Sequence, residues 1–158
     1  MAKMDNYPGG FTNGILIRGM PIHVTNPGKV FWVGNSTTLL AGEKSKSDGN
    51  KGTYYEPFST LDYAVGQCAS GRGDIIMVRP GHTETVSSAT ALALDVAGIA
   101  IVGLGVGSAR PTITLDTATT ATIGVSAANI SMQNMVISAN FADIVSAFTV
   151  TAKNFTLD

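Results

Sequence analysis

Apolar residues recur in this chain as pairs two positions apart, and each pair is answered by a second pair seven residues later. Leu92 and Leu94 are followed by Ile99 and Ile101, Ile123 and Val125 by Ile130 and Met132, and Phe148 and Val150 by Phe155 and Leu157. A spacing of two puts both members on one face of a strand, so each copy predicts strand, bend, strand. The residue before each second strand is Gly98, Asn129 or Asn154, types that accept the positive φ of a sharp bend. With Ile75 of the run IIMV, the second strands begin at residues 75, 99, 130 and 155, at intervals of 24, 31 and 25. Intervals of that length belong to a solenoid whose coils stack like residue over like, and they predict an interior row of Ile75, Ile99, Ile130 and Phe155. Apolar segments around Ile113 and Leu115, and from Met135 to Ile137, supply a third face per coil. The longest interval contains LGVGSAR, residues 104–110, predicted to bulge from one face as an exposed turn. Leu104, Val106 and Arg110 are its candidate contact residues. Thr and Ser crowd residues 112–122 and are expected to form hydroxyl ladders on outward strand positions.

Before the repeats the pattern changes. Residues 1–35 are rich in Gly and Pro, which break helices, yet they carry Met1, Met4, Phe11, Ile15, Leu16, Ile17, Met20 and Ile22. That apolar content is too high for a solvated tail, so an extended arm is expected to pack on its own solenoid or on a neighbouring subunit. Phe11, Ile15, Leu16, Ile17, Met20 and Ile22 are its candidate partner-binding residues. A first strand, VFWV, closes this region at residues 30–33. Residues 36–56 predict a surface loop whose acids and lysines, EKSKSDGNKG, form a solvated face. Residues 59–70 then predict a short amphipathic helix capped by Ser59, burying Leu61, Ala64, Val65 and Cys68 and stopped by Gly71. A helix here would cover the open apolar end of the first coil.

The run PFSTLDYAVGQCASGRGDIIMVRPGHTE resembles the opening segment of right-handed parallel β-helix proteins of the pectin-lyase-like type. The match rests on Pro57, Phe58, Thr60, Ala64, Gly73, Asp74, Ile76, Val78, Pro80, Gly81 and Glu84, with His82 standing where Tyr is usual. The resemblance covers residues 57–158 and implies an all-β fold: a right-handed parallel β-helix with an N-terminal capping helix and an extended N-terminal arm. An arm leading into such a fold is most similar to phage virion proteins. That likeness implies a capsid decoration protein or the base of a tail fibre or spike, located in the virion. It further implies a major capsid protein or tail subunit as partner and a homo-oligomer, a trimer. The alternative it leaves open is a polysaccharide-binding or depolymerising β-helix of a tailspike or secreted lyase or hydrolase, with host surface polysaccharide as the ligand.

Composition narrows the chemistry. Only 13% of the 158 residues are charged, the net charge is -1, and basic residues are scattered singly, so no electrostatic footprint for nucleic acid or anionic lipid is present. No run approaches the ~18 apolar residues of a membrane helix. The start, MAKMDNYPGGF, lacks the apolar core of a secretory signal, which predicts synthesis in a cytoplasm, the host's if the virion likeness holds. One cysteine, Cys68, excludes an internal disulfide and reads as a small buried side chain. Two histidines give no zinc spacing, so no metal or cofactor is expected. Asp116 and Asp143, about one coil apart, are the only acids placed for a glycosidase pair, but no other acid, aromatic subsite or base clusters with them, and surface turn positions are the favoured reading. His82 and Glu84 in PGHTE read as local turn hydrogen bonding, and no catalytic residue is assigned. The row from Ile75 reaches Phe155 and Leu157 at the last residues, which predicts that further coils or a stacked partner follow residue 158.

Overall fold

The computed structural model describes residues 15–17, 20–22, 28–35 and 41–158. In chain order the elements are β1 (Ile15–Ile17), β2 (Met20–Ile22), β3 (Val30–Val33), α1 (Leu61–Gly66), β4 (Ile75–Val78), β5 (Thr83–Val86), β6 (Ala93–Leu94) and β7 (Ala100–Gly103). They continue with β8 (Thr112–Leu115), β9 (Ile123–Val125), β10 (Ile130–Gln133), β11 (Val136–Ala139), β12 (Phe148–Val150) and β13 (Phe155–Leu157). Among the described residues the regular structure is mostly strand. β1 and β2 pair antiparallel, and all the other strands form three parallel sheets ordered β13-β10-β7-β4-β3, β11-β8-β5 and β12-β9-β6. From β4 onward, consecutive strands fall in different sheets and return to the first at every third strand.

Register explains the apolar pairs. Leu94 lies beside Val125, Ile123 beside Phe148, and Ile101, Met132 and Leu157 form one row across the five-stranded sheet. Leu92, Leu94, Ile99, Ile101, Ile123, Val125, Ile130 and Met132 are all buried. The bends behave as their residue types require: φ is 74° at Gly98, 59° at Asn129 and 58° at Asn154. Asn154 Nδ2 donates to Asn129 Oδ1 at 2.9 Å, so the bends before the neighbouring strands β13 and β10 are joined by side chains as well as backbones.

The interior row needs one correction. Ile130 does pair with Phe155, but Ile75 pairs with Ala100, one residue beyond Ile99, and the buried residues of β4 are Ile76 and Val78. In a strand with four consecutive apolar residues the alternation has no phase, and a slip of one residue exchanges the two faces. The position that precedes Ala100's partner is Asp74, fully buried, and its carboxylate fixes the phase. It accepts from Lys29 N at 2.6 Å, Ala69 N at 2.7 Å, and Arg72 Nε and Nη2, each at 2.7 Å.

The helix is shorter than predicted, and its cap is Thr60, whose Oγ1 accepts from Tyr63 N at 3.3 Å. Ser59 instead donates its backbone N–H to Asp48, as does Thr60. The helix ends at Gly66 with Gln67 as C-cap, ahead of Gly71. Leu61, Ala64 and Val65 are buried as expected, whereas Cys68 is only half-buried. α1 packs on β3, β4 and β6. It is also tied to two edge strands by charge-assisted bonds: Leu61 N donates to Glu84 of β5, and Asp62 accepts from Ala93 N of β6, each at 2.9 Å. The outer edge of β3 is closed by residues 52–58, through Trp32 N to Gly52 O at 2.8 Å and Phe58 N to Trp32 O at 2.9 Å. Thus the edge strands at this end of all three sheets are engaged, which removes the open edge an unpaired strand would present.

Candidate functional site

Four acids sit where backbone or guanidinium donors converge. Besides Asp74 and Glu84, these are Glu43 and Asp48, both in the segment expected to be a solvated face. That expectation fails for both: Glu43 forms a buried two-point pair with Arg79, and Asp48 accepts from Ser59 N, Thr60 N and Thr60 Oγ1 at 2.9–3.0 Å. A low net charge gives such acids no pattern in sequence. Only the convergence of donors, visible in three dimensions, identifies them. Burial pushes Asp74 up, but the Arg72 guanidinium and the Ala69 and Lys29 N–H groups outweigh it and hold the carboxyl at about 2. Asp48 is likewise opposed by burial, yet its bonds from Ser59 and Thr60 keep it below the usual range. Burial pushes the Cys68 thiol up to about 12, with the Asp74 charge adding to the effect, so it is a poor nucleophile.

His82 and Glu84 do bond locally. His82 Nε2 stands 3.2 Å from Glu84 Oε2, while the buried Nδ1 has no hydrogen-bond partner among the described residues. Because the same Glu84 oxygen accepts from Leu61 N, the pair is bound up with holding the helix. Asp116 accepts from Thr117 N at 2.7 Å and Asn140 Nδ2 at 3.1 Å, and Asp143 stands exposed at φ 60°. Both therefore occupy turn positions. Among the described residues no group of three His, Cys, Asp or Glu side chains could hold a metal ion, and no helix is long and apolar enough to cross a membrane.

The candidate contact residues divide. Of the arm, Phe11 lies outside the described residues, and so do the side chains of Ile15, Leu16, Ile17, Met20 and Ile22, whose backbones form β1 and β2. The turn at residues 104–110 is exposed as predicted, with a 3-10 turn at Gly107–Ala109. Val106 is 85% exposed and Arg110 is exposed, but Leu104 is half-buried. The hydroxyl ladder is found on the outer face of the three-stranded sheet β11-β8-β5, where Thr85, Thr114 and Ser138 stand in one row. Thr122 departs from it, buried and bonded to Thr149 Oγ1 at 3.2 Å.

Two surface features have no precedent in the sequence reading. Trp32, Tyr54 and Tyr55 form a chain of edge-to-face rings with centroids 4.9 and 5.3 Å apart, and Arg79 lies over Tyr54 at 5.1 Å. The other is the outer face of β3, β4 and β7, which is uniformly apolar. Their periodicity is hidden because both faces of these strands are hydrophobic. No family model, curated protein or solved structure matches the chain.

Proposed function

We propose that the chain is a right-handed parallel β-helix serving as a structural protein of a phage virion, a decoration protein or the base of a tail fibre or spike. The fold reading is supported by the return of every third strand to the same parallel sheet, with right-handed connections as the rule for parallel crossovers. One observation carries the structural role: Glu43, Asp48, Asp74 and Glu84 are all bonded to framework donors, the arrangement of a scaffold rather than of free acid–base pairs. The partner is a major capsid protein or tail subunit, and the protein acts as a homo-oligomer. Co-purification tests this. The protein should remain with capsids after tails are removed, or with tails after capsids are removed. Finding it with neither particle would end the virion reading.

A second reading, binding of host surface polysaccharide, is favoured by the exposed rings of Tyr54 and Tyr55 beside Trp32. Aromatic faces of this kind stack on sugar rings. Titration of capsular polysaccharide against the Tyr55→Ala variant would detect it as a loss of binding.

A further inference from the structure

The outward positions of the five-stranded sheet change character across the sheet. One row runs Val30, Ile75, Ala100, Ser131 and Thr156, and the next runs Trp32, Met77, Val102 and Gln133. On β3, β4 and β7 all six of these positions are apolar, and on β10 and β13 they are polar. Val30 is 47% exposed and the other five are half-buried, about as exposed as Thr112 and Thr114 on the hydroxyl face of the neighbouring sheet. A contiguous apolar patch with a polar border marks an interaction surface.

Size selects the occupant. Three strands about 4.8 Å apart, with two outward positions each about 7 Å apart, give a footprint on the order of 200 Å². A stable interface between two proteins needs about 800 Å² on each side, so this patch does not sustain a dimer by itself. A two-stranded hairpin with three residues per strand, about 10 Å long, matches it. Such a hairpin is tethered at the corner of the patch: β1 pairs with β2, and Ile22 is joined through residues 23–27 to Gly28, two residues before Val30. Those residues span at most about 20 Å, enough to lay the hairpin over β3, β4 and β7 and too few to carry it far away. Short tethering also raises the effective concentration to the millimolar range. In sequence the two strands read ILI and MPI, without a charge.

We propose that the β1–β2 hairpin of the same chain docks on the outer face of β3, β4 and β7, covering Val30, Trp32, Ile75, Met77, Ala100 and Val102. This does not rest on the virion reading.

Trp32 is the chain's single tryptophan and lies in the patch, so it reports occupancy. In the full chain, replacing Ile15, Leu16 and Ile17 together by Asp should shift Trp32 emission to the red and raise its quenching by acrylamide severalfold, with the far-ultraviolet dichroism unchanged. Hydrogen exchange supplies a second readout through Met77→Glu, an outward position: amides of residues 15–22 should be protected in the native chain and lose that protection in the variant. Unchanged quenching, or residues 15–22 exchanging as freely in the native chain as in the variant, overturns the proposal. Shielding of Trp32 that disappears on dilution also overturns it, by assigning the patch to a second copy.

Discussion

Asp74 shows how a single side chain can set the phase of a strand. With its carboxylate meeting two backbone N–H groups and the Nε and Nη2 of Arg72, it cannot turn outward without orphaning all of them, so Ile76 rather than Ile75 enters the core. Ile76→Ala should therefore cost roughly 2–5 kcal/mol in urea unfolding, and more than Ile75→Ala, whose side chain lies on the opposite, half-buried face. Equal losses would contradict the register. Asp74→Asn should cost roughly 3 kcal/mol, since an amide cannot satisfy the same donors. Its pH dependence has a definite sign. A carboxyl held at about 2 in the fold, against an ordinary 3.8, binds fewer protons folded than unfolded. Its stabilisation is complete above 3.8 and is lost as pH falls toward about 2. Unfolding measured down this range should show the native protein losing this contribution while Asp74→Asn, which cannot titrate there, lacks that part of the loss.

At the scale of elements, the paired strands and their bends were legible because each depends on local chemistry. A period of two needs only neighbouring residues, and positive φ at Gly98, Asn129 and Asn154 follows from what those side chains tolerate. Asn129→Ala should cost about 1–2 kcal/mol through left-handed strain, with a further small loss from the Asn154 bond, while Asn129→Gly should recover most of the strain term. Thermal unfolding of the two variants measures the difference. What was not legible required distant partners. Thr60 rather than Ser59 caps α1, since the helix starts at Leu61, and Asp48, in the preceding loop, holds the backbone N–H groups of both. The phase of β4 was equally hidden, since IIMV is apolar on both faces. The apolar outer patch could not be read for the same reason, as it takes strand pairing to bring Val30, Ile75 and Ala100 together.

Across the whole molecule, burial of equivalent positions changes steeply from one end of the sheets to the other. Val125 is 1% exposed while its neighbour Val150 is 46% exposed, and Met132 is 0% exposed while its neighbour Leu157 is 50% exposed. At the opposite end α1, Glu84, Asp62 and residues 52–58 engage the edge strands. Apolar burial and edge pairing are the two contributions that resist local opening, and both diminish in the same direction in all three sheets. Native-state hydrogen exchange of this chain should therefore show protection graded by strand position across the sheets. Amides of β4, β7 and β8 should exchange at or near the global unfolding free energy, and those of β11, β12 and β13 well before it. The grading should cross sheet boundaries, so that β11 and β12, in different sheets, exchange alike, while β12 and β9, in the same sheet, differ. Protection that followed sheet membership instead would mean that each sheet opens as its own unit. The shared core of Ile76, Leu94, Ile101, Ile113 and Ile123, contributed by all three sheets, argues that the sheets open together and not as three separate units.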